Sequence, residues 1–272
     1  MDHAAPLPAD PATRCLARRA ASAMVLLGAT GCLGSNASFT FDAGVHLPSI
    51  DGSLGLSNTT LTDLDEIDLS SELSLDDADV APLPRAELDF GFLDLAAWGF
   101  TTEASGRGTA TADFGDITAG SDVESDLALS MVQLRVLGDV IDSGPFQLGV
   151  GLAAQWVDVQ LDVHEIVFGL DESIDVQQAV PLLAARATFD LGELDLLPLS
   201  FELSAAGVKL SYADIDGALL DVEALVRWRF GLFGLFAGWR HLLVQIDGEA
   251  SGQAFDGDVT LSGVVAGLTL RF

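Results

Sequence analysis

The chain has 272 residues, of which 49% are hydrophobic and 19% are charged, and its 12 basic and 41 acidic side chains give a formal net charge of −29. Intrinsic disorder is excluded because it requires low hydrophobicity as well as high net charge. Nucleic-acid binding is disfavoured because so acidic a chain repels phosphate. No apolar run reaches the roughly 18 residues of a membrane-spanning helix. A transmembrane β-barrel accounts for both the high hydrophobic content and the absence of a long apolar run, because its apolar residues alternate with polar ones.

Residues 1–31 are predicted to be a signal peptide. Arg14, Arg18 and Arg19 form a positive segment, and an apolar stretch of secretory length follows at residues 20–29. Small residues then lead to Cys32, an arrangement that resembles a bacterial lipoprotein signal and implies acylation of Cys32. An ordinary signal peptide cleaved nearby, for instance after Ala37, fits the sequence equally well. Removal of Cys15 with this segment leaves no partner for an internal disulfide.

The barrel is expected to occupy residues 32–272, with an acidic extracellular loop at about 47–82. This loop carries many carboxylates and no basic residue before Arg85: Asp51, Asp63, Asp65, Glu66, Asp68, Glu72, Asp76, Asp77 and Asp79. Carboxylates at this density are compatible with Ca²⁺. The stretch at 63–68 lacks the EF-hand spacing, so we favour a solvated acidic loop and predict no metal site.

The remainder of the chain is predicted to be all-β, because period-2 alternation recurs and no segment sustains a helical repeat. We expect an up-and-down antiparallel barrel of about ten strands, although eight or twelve are compatible with the pattern. The predicted strands are 38–46, 85–90, 92–105, 126–137, 146–159, 180–190, 199–211, 217–230, 232–246 and 259–272.

The connections between these strands alternate between long polar segments and tight turns, which is the asymmetry of outer-membrane barrels. Ten strands place both termini on the short-turn, periplasmic side. Eight of the 15 phenylalanines are predicted to lie at this side, as expected of an interfacial aromatic girdle. They are Phe90, Phe92, Phe146, Phe189, Phe201, Phe230, Phe233 and Phe272.

Charged residues share one face of the predicted strands. Charges are costly in lipid, so this face should line the barrel lumen, where opposite charges must pair. A soluble lipocalin-like barrel would instead turn these charges to water, and alternation alone does not separate the two; the girdle and the loop asymmetry favour the membrane. The predicted lumen cluster comprises Arg85, Glu87, Arg135, Arg186, Glu202, Asp221, Glu223, Arg227, Arg229 and Arg240.

The C-terminal strand ends Leu268-Thr-Leu-Arg-Phe272 and resembles the terminal signature of outer-membrane barrels. That resemblance implies that Phe272 belongs to a signal read by the barrel-assembly machinery. The segment Ala237-Gly-Trp-Arg-His-Leu242 resembles the Gly-Tyr-Arg-Tyr stretch of the penultimate strand in small OmpA-like and OmpW-like barrels, with Trp239 and His241 in place of the tyrosines. The motifs are loose and imply a fold, not a reaction.

Catalytic motifs are missing from the sequence, and no cofactor is implied. His46 and His164 are predicted at or near extracellular strand ends, but no Ser-His-Asp or His-Glu-x-x-His spacing accompanies them. We therefore expect a non-enzymatic outer-membrane barrel, structural or with a narrow passive pathway, whose partners are outer-membrane lipid and the assembly machinery. The alternatives are a barrel enzyme acting on lipid or peptide at the extracellular rim and a soluble periplasmic lipoprotein barrel.

Overall fold

A computed structural model describes residues 37–56, 66–75, 78–212, 215–250 and 253–272. Within these ranges, no helix is long and apolar enough to cross a membrane. The strands are β1 (Ser38–Leu56), β2 (Glu66–Asp68), β3 (Ala81–Asp89), β4 (Leu93–Thr109), β5 (Asp122–Asp142), β6 (Phe146–Glu165), β7 (Asp171–Asp190), β8 (Leu199–Tyr212), β9 (Ile215–Phe230), β10 (Phe233–Ala250) and β11 (Gln253–Arg271).

These strands form one closed antiparallel barrel. Consecutive strands from β3 to β11 are neighbours, β3 pairs with β1, and β11 pairs with β1 to close the sheet. The closing register runs from Thr40 opposite Arg271 to Leu56 opposite Phe255. The very short β2 only extends the wall beside β1, so the prediction of ten barrel strands in up-and-down order is confirmed.

The first loop completes the wall where β3 is too short. β3 pairs with β4 only between Arg85 and Asp89, while β4 continues to Thr109. Loop residues cover the part of β4 that β3 does not reach and the segment just after it. The Asp79 amide donates to the Glu103 carbonyl at 2.8 Å, and the Glu72 carboxylate accepts from the Thr111 amide at 3.0 Å. The loop therefore belongs to the barrel wall.

Two glycines of β4 permit this close contact. A Cβ at Gly108 would lie 1.5 Å from the Glu72 carbonyl oxygen, and one at Gly106 would lie 2.0 Å from the Leu73 carbonyl oxygen. Before this contact the loop is shaped by Asp68, whose carboxylate accepts the Ser70 and Ser71 amides at 3.0 and 2.6 Å. These hydrogen bonds, led by that from Ser71, lower the pKa of Asp68.

The strands are longer than the sequence pattern predicts. β1 continues ten residues past His46 to Leu56, so the start of the predicted acidic loop at 47–82 is strand. β6 likewise continues to Glu165 and β7 begins at Asp171, within a segment predicted to be a long loop. The sequence pattern predicts loops at these extensions because their outward side chains are mostly acidic and polar.

Side-chain polarity reverses halfway along the barrel. In the half that contains the start of β1 and the end of β11, here called the terminal half, outward residues are apolar and inward residues are charged. On β6 the outward apolar stretch runs from Leu148 to Trp156, which matches the roughly 9–11 residues that a tilted strand needs to cross a bilayer. Trp156 and Trp239 lie at the far border of this band, 48% and 52% exposed.

The opposite half, here called the distal half, has the reverse arrangement. Outward positions carry acidic and polar side chains, such as Asp126 on β5 and Asp158 and Asp162 on β6. Its interior is a packed apolar core, here called the apolar plug, to which β1, β3–β6, β10, β11 and the first loop contribute. Its members include Ile50, Leu54, Ile67, Leu69, Leu73, Leu75, Leu83, Phe100, Leu127, Leu129, Met131, Leu161, Val163, Leu242 and Leu261, each at most 8% exposed.

The reversal predicts that arginine is tolerated on one half of a strand and not on the other. Leu152 and Gln160 both point outward from β6, in the terminal and distal halves respectively. Leu152→Arg should lower the free energy of unfolding in lipid by about 2–4 kcal/mol, because it places a charge against acyl chains. Gln160→Arg should change it little. Reversible unfolding in lipid vesicles measures both; equal effects would contradict the placement of the band.

Candidate functional site

The terminal half of the lumen contains a group of buried charges contributed by eight strands. Five arginines face six carboxylates there: Arg85, Arg135, Arg186, Arg227 and Arg240 with Asp42, Glu87, Asp94, Glu202, Asp221 and Glu223. We call this group the inner charge layer. Period-2 alternation positions each member, because every one lies on the inward face of its strand.

Arg227 is bonded to carboxylates from two other strands, β8 and β1. Its Nε donates to Glu202 at 3.1 Å, and its Nη1 donates to Asp42 at 2.7 Å. Asp42 also accepts the Thr269 hydroxyl at 2.7 Å, and the guanidinium lies over the Phe236 ring at 5.5 Å. These contacts tie β9 to β8, β1, β10 and β11 across the lumen.

Arg240 lies where the inner charge layer meets the apolar plug. It is 1% exposed and donates to both oxygens of Asp221, at 3.0 and 2.7 Å. Its guanidinium stacks over the Trp98 ring, 3.4 Å from the centroid. Carboxylate and ring together replace the water that a buried guanidinium loses, so Arg240 can border an apolar core.

Two further pairs cross the lumen. Arg85 donates to both oxygens of Glu223, one of them at 2.6 Å, and Arg186 pairs with Asp94 and lies 3.7 Å from Glu87. Arg135 differs: it is 6% exposed but makes no hydrogen bond and no ion pair within 4.0 Å with any residue that the structure describes. The layer therefore holds one arginine whose charge is balanced only by more distant carboxylates.

Arg229 shares the inward face of β9 with Arg227, but it lies at the terminal mouth and outside the inner charge layer. Its side chain is 36% exposed, pairs with Asp190 at 2.9 Å and donates to the Ser200 hydroxyl at 3.0 Å, at the terminal mouth of the barrel. A polar cavity of about 190 Å³ opens at this mouth and reaches inward to Glu202 and Arg227. Arg229 borders this vestibule because it is one rung nearer the strand end than Arg227.

Asp42 and Asp94 were missed by the sequence reasoning, although the signal was present. Asp42 shares the inward phase of β1 with His46, and Asp94 shares that of β4 with Trp98. Extending the alternation argument to the first and fourth strands would have placed both in the lumen. The remaining predicted lumen residues all point inward.

Of the two histidines predicted at or near strand ends, His164 lies near the rim and His46 does not. His46 is not at the rim: it is fully buried in the lumen, 5.4 Å from the Phe100 ring in an edge contact, because β1 continues well beyond it. His164 is exposed near the distal rim and its Nδ1 lies 2.6 Å from Asp171. His241 points outward at the border of the apolar band and contacts the Ser262 hydroxyl at 2.7 Å.

Of the two other predicted site residues, Cys32 and Phe272, the structure describes only Phe272. Cys32 lies outside the described residues. Phe272 exchanges two backbone hydrogen bonds with Phe39, at 2.8 and 3.0 Å, and its ring stacks on that of Phe39 at 6.2 Å. Among the described residues, no group of three or more His, Cys, Asp or Glu side chains is arranged to hold a metal ion.

The ion pairs of the layer predict a stability effect for Arg227→Ala. The variant leaves Glu202 and Asp42 buried without their partner, which should cost about 3–5 kcal/mol. Adding Glu202→Gln should restore part of the loss, since one unpaired carboxylate is then removed. Arg229→Ala, on the same face at the open mouth, is the matched control and should cost much less. Thermal unfolding in detergent measures all three; equal effects at 227 and 229 would contradict the layer.

Comparison with known proteins identifies the fold. No protein-family model matches the sequence, and no curated protein matches it. The chain is similar in structure to the outer membrane protease OmpT from Escherichia coli, with a TM-score of 0.53 and 9% identity over 89% of this chain and 99% of that chain. It also matches the transport unit of the autotransporter AIDA-I from Escherichia coli, with a TM-score of 0.35 and 9% identity over 96% of this chain and 98% of that one.

At 9% identity, the first similarity shows a shared fold alone, and the second has too low a TM-score to carry an argument. The comparisons therefore support an outer-membrane β-barrel fold in general and do not single out the OmpA-like or OmpW-like barrels that the sequence motifs resemble. The chain has the fold of an outer-membrane β-barrel.

Proposed function

We propose that this protein is a closed, non-enzymatic barrel of the bacterial outer membrane, with both termini on the periplasmic side. The observation that carries the proposal is the reversal of polarity along the barrel. An apolar band of bilayer thickness surrounds the terminal half, and an acidic, water-compatible wall surrounds the distal half. The band supports insertion up to Trp156 and Trp239, with the distal half standing in the aqueous space.

The orientation follows from the same arrangement. Tight turns at Gly91, Gly144 and Gly231 connect the strands at the terminal end, where these glycines have positive φ. In outer-membrane barrels the short turns face the periplasm. The exposed phenylalanines at this end, including Phe92, Phe233 and Phe272, would lie at the inner interface of the membrane.

The lumen contents support a barrel without a continuous water path. The vestibule at the terminal mouth is polar, but the arginines beyond it are bonded across the lumen to carboxylates on other strands. Above them the apolar plug fills the distal half. An ion entering this region would lose its hydration without gaining polar ligands, which is strongly unfavourable.

The similarity to a protease raises an enzymatic alternative, and His164 with Asp171 is the pair that would bear on it. Both side chains are exposed on the outer wall, 49% and 79%, and no hydroxyl or thiol among the described residues lies within hydrogen-bond distance of the imidazole. The contact serves equally as an ordinary cross-strand charge pair, since His164 lies opposite Asp171 in the register. We therefore retain the non-enzymatic proposal.

A closed lumen predicts little or no ion conductance. Protein reconstituted in planar bilayers should show conductance that is absent or small, because the apolar plug and the paired arginines occupy the path. Insertion is verified in the same preparation by heat-modifiable gel mobility. A stable, porin-sized conductance would overturn the closed-barrel proposal.

The proposed assembly signal predicts a defect that is specific to cells. Phe272→Ala should sharply lower the amount of folded protein in the outer membrane, while refolding of the purified variant in detergent is largely retained. Phe233→Ala is the control, because Phe233 is equally exposed, at 66%, and lies at the same end on the neighbouring strand. Equal losses for the two variants in cells would show that Phe272 has no special role in assembly.

A further inference from the structure

The wall of the distal half contains an open strand edge. β7 pairs with β6 along its whole length, from His164 opposite Asp171 to Phe146 opposite Phe189. Its pairing with β8 stops at Leu183 opposite Gly207. Residues 171–182 of β7 therefore pair with no described strand on their second side. Pro181 lies in this segment, and proline is typical of strand edges because it cannot donate to a ladder.

An apolar loop tip adjoins this edge. The turn between β6 and β7 exposes Ile166, Val167 and Phe168 to 50%, 70% and 83%. The turn is nevertheless held in place: the buried Glu165 carboxylate accepts the Val167 amide at 3.1 Å, and the Ile166 amide donates to the Asp122 carbonyl at 3.0 Å. A fixed turn that presents three apolar side chains to water is typical of an interaction site.

The tip and residues 171–178 of the edge lie beyond the apolar band, because Ala179 is the residue opposite Trp156 in the register. Glu165 at the tip lies nine positions along β6 from Trp156 at the border of the band. At about 3.4 Å per residue and a strand tilt near 40°, the tip stands roughly 20–25 Å beyond the membrane interface. The surface is therefore available to a macromolecule in the aqueous space.

The charges around the edge indicate what kind of macromolecule fits. The outward face of β7 carries Asp171 and Asp175, and the neighbouring β6 carries Asp158 and Asp162. Lys209 on β8 is the one cation on the facing strand among the residues described. Edge-to-edge pairing of two copies would oppose like charges, so a second copy is disfavoured. A cationic strand would instead meet complementary charge.

We propose that the β7 edge and the 166–168 tip form a docking surface for an extended, cationic segment of another protein. The segment adds as a strand to residues 171–178, the part of the edge beyond the apolar band, where the backbone supplies hydrogen bonds and the aspartates select lysine or arginine at alternate positions. An apolar side chain at one end of the segment packs on Phe168. The proposal rests on the distal half lying outside the membrane, as proposed above.

The test uses the full protein in lipid nanodiscs and a fluorescent peptide of about twelve residues that alternates lysine with valine and ends in leucine. Fluorescence anisotropy at about 150 mM salt should show saturable binding. A matched peptide with methylated backbone nitrogens on one edge should bind roughly tenfold more weakly or worse, because it cannot complete the ladder. Equal binding of the two peptides, or no binding of either, would overturn the proposal.

Variants of the protein locate the surface. Asp171→Asn with Asp175→Asn, and separately Phe168→Ser, should each weaken binding of the lysine peptide. Asp51→Asn with Asp247→Asn removes two outward charges from β1 and β10, away from the edge, and should leave binding unchanged. Equal weakening by both aspartate pairs would show attraction to the acidic surface in general and would also overturn the proposal.

Separate measurements distinguish a failure of this proposal from a failure of the proposed function. Heat-modifiable mobility and planar-bilayer conductance test membrane insertion and closure, and neither depends on the β7 edge. A protein that conducts ions but binds the lysine peptide more tightly than the backbone-methylated peptide would disprove the closed barrel and support the docking surface. A closed, inserted barrel that does not discriminate between the peptides would do the reverse.

Discussion

The mutual bonding of arginines and carboxylates inside the terminal half is the interaction on which the rest of the barrel depends. Strands that face lipid on one side must place their polar residues on the other, and a ten-stranded lumen leaves little water to solvate them. Arg227 meets this constraint by bonding to Glu202 and Asp42, and Arg240 by bonding to Asp221 beneath the Trp98 ring. Such a layer fixes the strand register, because a slip by one residue would turn these charges into lipid.

The distal half solves the opposite problem with the same strands. Once a strand leaves the bilayer, water surrounds its outward residues, so acidic side chains become favourable outside and apolar ones inside. The plug built around Met131 and Leu161 is therefore an ordinary hydrophobic core, enclosed by a wall that continues from the membrane band. The first loop takes part in it through Leu69 and Leu73, which explains why its backbone packs so closely on Gly106 and Gly108.

The filling of the lumen determines which surfaces of the barrel are available for interaction. Because the apolar plug and the inner charge layer together fill the lumen, the surfaces that remain free to interact lie on the outside of the distal half. Among the described residues, the unpaired edge of β7 and the apolar tip at Phe168 depart from a largely acidic outer wall. If the barrel is closed to ions as proposed, its role is to present this outer surface to partners in the aqueous space.

The sequence by itself determined the fold class, the number of barrel strands and the inward face of most of them. Period-2 alternation is a local property, so Asp221, Glu223 and Arg227 could be placed on one face without knowledge of their neighbours. Composition excluded helical spans, and the tight glycine turns separated one end of the barrel from the other.

Only the tertiary structure decided where the strands end and which charges meet. Alternation keeps its phase at the membrane border but exchanges its polarity, so the acidic outward residues of β6 and β7 resembled a loop when read alone. Because the predicted first strand likewise ended too early, His46 was placed at the rim, whereas β1 continues ten residues beyond it. The partner of each lumen arginine depends on strands distant in sequence, as for Arg227 and Asp42, and on the stagger with which the sheet closes, which no local pattern encodes.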